Sequence, residues 1–156
     1  MRICFVCMGN ICRSPTAEAV MRKLIDAEGL ADKITIDSAG TGGWHAGELP
    51  DPRSCTAGKK RGYDLTHRAR KFTQADFDRF DLVLAMDRDN YEHLQRLARG
   101  RSQVPPIRLL RSFDPQAPEG AEVPDPYSGG GEDFDHVLDV CENACRGLLE
   151  HVRSRV

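Results

Sequence analysis

The chain has 156 residues, of which 40% are hydrophobic and 29% are charged, and its formal net charge is −2. This length and apolar content predict one domain with a sizeable core. The near-balanced charge argues against a nucleic-acid binder or a basic membrane-surface protein. The apolar runs are too short to cross a membrane or to act as a secretory signal. Because the 6 cysteines show no recognisable disulfide spacing, we expect reduced thiols and a cytoplasmic location. We also expect a monomer.

Segments typical of strands and of helices alternate along the chain. The strand candidates are short and apolar, and the helix candidates carry apolar residues at helical spacing. The alternation predicts an α/β fold, with a single domain over residues 1–156 and a three-layer open sheet of about four parallel strands with helices on both faces. The predicted strands span residues 2–6, 33–37, 82–86 and 107–110, and the predicted helices span 14–28, 51–61, 73–77, 87–97 and 133–152.

The loop after the first predicted strand carries the most informative motif, Val-Cys-Met-Gly-Asn-Ile-Cys-Arg-Ser-Pro at residues 6–15. Ser14 is expected to cap the following helix, and Pro15 fits its first position. A loop that closes on a helix N-terminus collects unpaired N–H groups, which bind anions. Arg13 adds a planar, bidentate cation. With Cys7 at the opposite edge of this cradle, the stretch predicts a phosphatase active site.

Cys55 and Arg61 have the same spacing as the cysteine and arginine of this motif. No apolar strand precedes Cys55, the residues between the two resemble a helix surface, and Gly62 follows where the motif has a hydroxyl. The motif itself has a strand, a Gly9-Asn10 bend and a helix start in the order that the chemistry requires. Only the first pair is therefore predicted to form a site.

The expected reaction is hydrolysis of a phosphate monoester. A helix N-terminus and a nearby arginine favour the thiolate form of Cys7. This thiolate would attack phosphorus and form a phosphocysteine, which water then hydrolyses. Loop N–H groups and Arg13 would stabilise the charge on the phosphoryl oxygens. The residues alone leave the general acid open: Asp51 is explained as a helix cap, whereas Asp125 lies in a stiff Val-Pro-Asp-Pro-Tyr loop beside Tyr127.

The spacings Cys4-x-x-Cys7 and Cys141-x-x-x-Cys145 raise the alternative of a zinc site. Cys4 falls inside a predicted strand, and the second pair lies at i, i+4 of a predicted helix. Both placements disfavour a shared metal, so we expect no metal and no cofactor.

Six motifs, from residues 6–15 to residues 125–127, resemble the low-molecular-weight protein tyrosine phosphatase family, and the resemblance covers nearly the whole chain. The resemblance implies a metal-free, two-step hydrolysis of phosphotyrosine and small aryl phosphates. It makes Cys7 the nucleophile, Arg13 the phosphate clamp, Ser14 the thiolate stabiliser and Asp125 the general acid and base. The motifs that carry it are residues 6–15, Asp-Ser-Ala-Gly-Thr and Trp-His within 37–45, Asp-Pro-Arg at 51–53, Thr-His-Arg-Ala-Arg at 66–70, Ala-Met-Asp at 85–87 and Asp-Pro-Tyr at 125–127.

The resemblance also implies how the surroundings of the site are built. Asn10, Ser38 and His67 would form a hydrogen-bonded network that holds the loop in shape. Trp44 and Tyr127 would line the slot for the phosphotyrosine ring.

The resemblance also implies that the loop binds the phosphate, and it gives the expected partners of the protein. These are tyrosine-phosphorylated proteins, with inorganic phosphate or oxyanion inhibitors occupying the loop. Cys12 would form a reversible disulfide with Cys7 that protects the nucleophile from irreversible oxidation. The substrate-binding loop residues would be Met8, Gly9, Asn10, Ile11, Cys12 and Ser14.

Two alternative functions stay open. An arsenate reductase or thiol-redox enzyme of this fold would carry resolving cysteines after the third strand, and residues 86–97 contain none. A phosphopeptide-binding module without turnover would not need an acid at Asp125.

Related arginine phosphatases tend to have Thr where this chain has Ile11, so Ile11 favours aryl phosphates. Many family members have a second tyrosine where this chain has Ser128, which leaves regulation at that position open.

Overall fold

The centre of the fold is a parallel sheet whose first and third strands are almost entirely buried. The computed structural model describes residues 1–156. Its strands are β1 (Arg2–Cys7), β2 (Thr35–Gly40), β3 (Leu82–Ala85) and β4 (Ile107–Leu109), in the order β2-β1-β3-β4. Every neighbouring pair is parallel, so the carboxyl ends of all four strands lie at one edge.

Helices cover both faces of the sheet. Ile3, Phe5 and Cys7 of β1 belong to the core on one face and Cys4 and Val6 to the core on the other, because successive strand side chains alternate. The predicted single-domain, three-layer α/β fold is therefore confirmed. The helices are α1 (Arg13–Ala27), α2 (Pro52–Lys60), α3 (Arg88–Leu97) and α4 (Gly131–Arg153), with two short 3₁₀ helices at Gln74–Asp78 and Leu110–Phe113. The larger core contains residues of α1, α2 and α4, and the smaller one contains residues of α3.

The element boundaries differ from the predicted ones most clearly at β2 and α4. The alternating segment 33–37 predicts a strand, but the observed strand runs to Gly40, because its last residues pair with β1 and Gly40 lies opposite Cys7. Helix α4 begins at Gly131, slightly earlier than expected, because the Asp133 carboxylate accepts a hydrogen bond from the backbone N–H just before the helix.

Several predicted helix signals are confirmed. Asp51 and Asp87 cap α2 and α3, each accepting a bond of 2.8 Å from the backbone N–H of Arg53 and Asn90 respectively. Gly29 adopts a φ of 68° just after α1, as expected of a glycine that ends a helix. None of the helices combines the length and the apolar character that crossing a membrane requires.

Candidate active site

The loop between β1 and α1 makes a tight bend through an unusual backbone conformation. Asn10 has a φ of 58° and is the only residue other than glycine with a positive φ. Asparagine tolerates this left-handed region better than most residues, since its short side chain can hydrogen-bond locally. The Gly9-Asn10 bend is therefore present, and it leads the chain from the end of β1 at Cys7 into α1 at Arg13.

The carbonyl oxygens of the loop are bonded to neighbouring segments outside it. Once these carbonyls are held in place, the amides that remain unpaired can bind an anion together. The bonds, of 2.8, 3.0 and 2.8 Å, run from the N–H groups of Thr41, Gly42 and Asp51 to the oxygens of Cys7, Met8 and Ile11. The N–H groups of Gly9, Ile11 and Cys12 have no acceptor within the protein.

Gly40, the last residue of β2, lies directly against this loop. A Cβ atom at Gly40 would lie 2.8 Å from the Met8 carbonyl oxygen and 2.9 Å from that of Gly42. These distances are too short for a carbon–oxygen contact, so only glycine lets the strand and the loop approach so closely. The prediction that ended the second strand at residue 37 missed this contact.

The loop forms the floor of a cavity of about 490 Å³. Three separate segments of the chain contribute to its walls, and they bring together Cys7, Arg13, Asp125, Trp44 and Tyr127 from the predicted site. The other lining residues are Met8, Gly9, Ile11, Cys12, His45 and Ser128. The remaining predicted residues do not line the cavity, and their side chains are hydrogen-bonded to one another within the protein: Asn10, Ser14, Ser38 and His67.

Cys7 lies at the floor of the cavity, and only 2% of its surface is exposed. Its Sγ lies 3.0 Å from the Ser14 Oγ and accepts a hydrogen bond of 3.3 Å from the Asn10 N–H. A hydroxyl and an amide at these distances can stabilise negative charge on the sulfur.

Ser14 does not cap α1, and this prediction was wrong. The N-cap residue is Cys12, which makes no side-chain cap bond, and Ser14 and Pro15 are the second and third residues of the helix. The Ser14 hydroxyl is engaged elsewhere: it contacts the Cys7 sulfur and accepts a bond of 2.8 Å from Asn10 Nδ2. With no side-chain cap present, the first N–H groups of α1 stay available to a ligand.

The Arg13 side chain is 3% exposed and lies in the cavity wall. Its Nη1 donates to Asp87 Oδ2 at 2.6 Å and to the Val123 carbonyl at 3.1 Å, and its Nη2 lies 3.9 Å from Asp125 Oδ2. The buried Nε has no partner in the protein, as suits a donor for a ligand oxygen. Burial lowers the pKa of Arg13, but the facing Cys7 and the paired Asp87 outweigh it and raise the pKa above its ordinary value, so Arg13 stays cationic.

Beneath the loop, the Asn10 side chain uses both of its ends. Its Nδ2 donates to the hydroxyls of Ser14 and Ser38 at 2.8 and 3.0 Å. Its Oδ1 accepts from the Arg70 N–H at 3.0 Å and lies 3.2 Å from His67 Nε2. These contacts fix a residue in the left-handed region and so tie the shape of the loop to β2 and to the segment around residue 70.

Glu18 belongs to this network, although the sequence alone did not reveal it. The residue is 4% exposed, and its Oε1 accepts from the Ser38 hydroxyl at 2.6 Å and lies 3.6 Å from His67 Nδ1. Asp37 Oδ1 lies 3.5 Å from the same nitrogen. The signal was present in the spacing, because Glu18 follows Ser14 by one helical turn and shares its face of α1.

The rim of the cavity is formed by an acid and two aromatic rings. The Asp125 side chain is 44% exposed, and its Oδ1 accepts from the Tyr127 N–H at 3.0 Å. Trp44 and Tyr127 are 72% and 51% exposed, so two rings flank the opening. His45 also lines the cavity, with its Nδ1 2.7 Å from Glu48 Oε2. In the sequence His45 belongs to the Trp-His motif, but no role in the site was predicted for it.

Cys12, the second cysteine of the loop, is 6% exposed. Burial and the nearby Asp51 carboxylate raise the pKa of its thiol to about 12, so Cys12 is protonated at neutral pH. A disulfide with Cys7 would therefore form only after Cys7 itself had been oxidised. That disulfide stays a prediction.

Unpaired amides facing a thiol and an arginine, at the carboxyl edge of a parallel sheet, define an α/β protein with a cysteine-containing oxyanion site. Comparison with known proteins then gives the family. The profile described as "Low molecular weight phosphotyrosine protein phosphatase" matches residues 2–156. A low molecular weight protein-tyrosine-phosphatase of Streptomyces coelicolor is 49% identical over 156 residues, which cover 99% of this chain and 95% of that protein.

Solved structures agree with this assignment. A protein tyrosine phosphatase from Entamoeba histolytica superposes with a TM-score of 0.91 at 42% identity, covering 99% of this chain and 98% of the other. A Drosophila arginine phosphatase superposes with a TM-score of 0.91 at 31% identity over 100% of both chains. The chain therefore belongs to the low-molecular-weight phosphotyrosine protein phosphatase family, a family of hydrolases.

Proposed function

We propose that the protein hydrolyses phosphotyrosine in phosphorylated proteins through a covalent phosphocysteine on Cys7. The geometry at the cavity floor carries this proposal. There the sulfur lies 3.0 Å from the Ser14 hydroxyl, beside unpaired loop amides and the unpaired Nε of Arg13. Amides and a guanidinium that hold the oxygens of a phosphoryl group leave its phosphorus open to attack from the sulfur.

In the first step the Cys7 thiolate attacks phosphorus in line. The S–P bond forms while the P–O bond to the tyrosine breaks, and Asp125 gives its proton to the phenolate oxygen, so tyrosine leaves as a neutral phenol. The position of Asp125 supports this role, because its Oδ2 lies 3.9 Å from the Arg13 clamp and the side chain is 44% exposed. An acid at that place lies beside both the phosphate and the exit of the leaving group.

In the second step Asp125, now ionised, takes a proton from a water molecule that attacks the phosphocysteine. The S–P bond breaks, inorganic phosphate leaves, and the thiolate of Cys7 is restored. The Ser14 hydroxyl and the Asn10 N–H stabilise the departing sulfur. Asp125 therefore makes both proton transfers, and Cys7 is the nucleophile of the first step.

The walls of the cavity support an aryl phosphate as substrate. Trp44 and Tyr127 offer exposed rings on which a phenyl ring can stack, and Ile11 adds an apolar wall deeper in the cavity. A phosphoserine side chain has no ring to fill the space between these walls. Tyrosine-phosphorylated proteins are therefore the proposed partners, and inorganic phosphate is expected to compete as the product.

The same chemistry supports a reducing compartment such as the cytoplasm, because Cys7 is a nucleophile only as a reduced thiol. We further propose a monomer as the active unit, because residues of a single chain, Cys7, Arg13 and Asp125 among them, are sufficient for the steps above.

The test is hydrolysis of para-nitrophenyl phosphate in the presence of EDTA. Turnover is expected in the wild type, none in Cys7→Ser, and a strongly reduced rate in Asp125→Ala. Cys55→Ser serves as the matched control. Rapid denaturation at alkaline pH during turnover is expected to leave phosphate on Cys7. Loss of activity in EDTA, or full activity in Cys7→Ser, would contradict the mechanism.

Peptides carrying phosphotyrosine, phosphoserine or phosphoarginine test the substrate class. We expect phosphotyrosine to be hydrolysed fastest, since the cavity has aromatic walls. Faster hydrolysis of phosphoarginine would overturn the proposed substrate, and arsenate-dependent thiol oxidation would favour the redox alternative instead.

A further inference from the structure

We propose that Arg53 is a positioning residue that holds the loop carrying Asp125 against the phosphate-binding loop. The inference rests on the proposed role of Asp125 as general acid. Arg53 does not line the cavity, so its effect reaches the reaction through the Asp125 loop rather than through contact with the substrate.

One side of the Arg53 guanidinium is fixed to the phosphate-binding loop. Its Nε and Nη2 donate to the two carboxylate oxygens of Asp51 at 3.1 and 2.9 Å. Asp51 is 8% exposed, and its backbone N–H donates to the Ile11 carbonyl at 2.8 Å. A bidentate pair of this kind sets the plane of the guanidinium as well as its position.

The other contacts of Arg53 are with the loop carrying Asp125, residues 125–129, and with the start of α4. The guanidinium carbon lies 5.4 Å from the ring centroid of Tyr127 and 4.6 Å from that of Phe134. Its Nη1 also makes a long hydrogen bond of 3.4 Å to the Gly129 carbonyl. Phe134 is 3% exposed and belongs to the core, so it is a fixed contact for the guanidinium. The ring of Tyr127 is more exposed, and its cation–π contact with the guanidinium helps to hold it in place.

Tyr127 in turn positions the acid. Its N–H donates to Asp125 Oδ1 at 3.0 Å, and a bond of 2.8 Å from the Gly129 N–H to the Pro126 carbonyl closes the turn. The residue that packs on Arg53 is therefore also the residue that holds the carboxylate. Since a catalytic group displaced by about 1 Å can lose about 10²-fold in rate, loss of Arg53 is expected to weaken proton donation.

The test compares kcat/KM for two substrates. Phenyl phosphate has a poor leaving group and needs the acid, whereas 2,4-dinitrophenyl phosphate has a good leaving group and does not. Arg53→Ala is expected to lower kcat/KM about tenfold for the first and less than about twofold for the second. The tenfold loss is a part of the 10²–10⁴-fold that a general acid contributes. Arg61→Ala is the matched control, because Arg61 lies at the other end of α2 and pairs with Asp139 and Glu142.

Double variants decide whether Arg53 acts through the acid. Arg53→Ala combined with Asp125→Ala is expected to be no slower than Asp125→Ala alone, because residues that act through one group do not add. Equal losses on both substrates, or a multiplied loss in the double variant, would overturn the inference. If Asp125→Ala itself showed no dependence on the leaving group, the proposed function would fail instead.

Arg53→Lys separates the planar contact from the charge. It is expected to show the same leaving-group pattern as Arg53→Ala, since an ammonium cannot bind Asp51 in two places and stack on Tyr127 together. Full recovery in Arg53→Lys would overturn the positioning account. Thermal melting of each variant confirms that it is folded, and Arg53→Lys carries the test if Arg53→Ala melts below the assay temperature.

Discussion

Two stretches of this chain place an arginine six residues after a cysteine, and only one of them forms a site. In the first stretch Cys7 ends β1, Arg13 begins α1, and both line one cavity. In the second stretch Cys55 lies within α2 and Arg61 follows its last residue. There the two side chains have separate partners: Cys55 Sγ lies near the Pro50 and Leu65 carbonyls, and Arg61 pairs with Asp139 and Glu142.

The difference lies in the backbone between the two residues. Six residues of α-helix advance about 9 Å along the axis and turn the side chains to different faces, so they cannot meet at one ligand. The N–H groups inside a helix are also already bonded to carbonyls of the preceding turn. In the first stretch the left-handed Asn10 bends the chain and leaves amides unpaired.

The largest expected difference between the two stretches is at the cysteines. Cys7→Ser is expected to lower kcat/KM for para-nitrophenyl phosphate by about 10⁴-fold or more, because a serine hydroxyl is a far weaker nucleophile at neutral pH. Cys55→Ser is expected to stay within about twofold of the wild type, since Cys55 does not line the cavity. Steady-state kinetics measure both, and similar losses would mean that the two stretches do not differ in chemistry.

The arginines should differ next most strongly. Arg13→Lys is expected to cost about 10²–10³-fold in kcat, because the planar guanidinium and its donor to the phosphoryl oxygens are lost. Arg61→Lys keeps an exposed ion pair that contributes about 0–1 kcal/mol to stability, so its kcat should be unchanged. Kinetics on both purified variants make the comparison, and normal turnover by Arg13→Lys would contradict the proposed clamp.

The residue in the middle of each stretch gives a smaller effect. Asn10→Gly keeps the positive φ accessible but removes the side-chain bonds to Ser14, Ser38 and Arg70. We expect a loss of about 1–3 kcal/mol in the free energy of unfolding and of about 10–100-fold in kcat/KM. Asn10→Ala should be worse than Asn10→Gly, because alanine disfavours the left-handed region.

The control for this prediction is Gly58→Ala, at the equivalent place in the second stretch. A Cβ at Gly58 would meet the end of the flexible Leu65 side chain at 2.8 Å, away from the cavity. Urea unfolding gives the stabilities and steady-state kinetics the rates. Equal behaviour of Asn10→Gly and Asn10→Ala would show that backbone conformation does not matter at Asn10.

The smallest expected effect is on the rates at which Cys12 and Cys55 are alkylated, compared with Cys7. Burial raises the pKa of Cys55 above its ordinary value and that of Cys12 to about 12. Because only the thiolate reacts, alkylation of Cys55 by iodoacetamide should rise about tenfold per pH unit below its pKa. Inorganic phosphate should slow labelling of Cys7 but not of Cys55. Peptide mass spectrometry follows each cysteine, and a rate at Cys55 that stops rising at or below the ordinary thiol pKa of about 8.5 would contradict the raised pKa.

Much of the fold could be predicted because its signals are local. Strands buried on both faces leave apolar runs, so the predicted 82–86 and the observed Leu82–Ala85 agree closely. The end of β2 could not be predicted, because Ser38, Ala39 and Gly40 have no strong strand preference. They are extended because they pair with β1, a long-range cause that no local pattern contains.

In the site, too, the features with local sequence signals could be predicted and those with long-range causes could not. The loop of residues 6–15 was predictable, since strand, bend and helix follow one another in the sequence. Ser14 was misassigned because the cap rule is local, whereas the partners of its hydroxyl are Cys7 and Asn10. The pairing of Arg13 with Asp87 joins residues 74 positions apart, and only the folded sheet brings them together.

Gly40 limits the space behind the loop of residues 7–13, although Gly40 itself does not line the cavity. The space between residue 40 and the Met8 carbonyl cannot hold even a methyl group, so the backbone of β2 lies directly against the loop. A bulkier residue at this position would alter the curvature of the loop and, with it, the size of the oxyanion that the amides can surround. Attempts to widen the loop for a larger anion would therefore begin at β2, behind the catalytic surface.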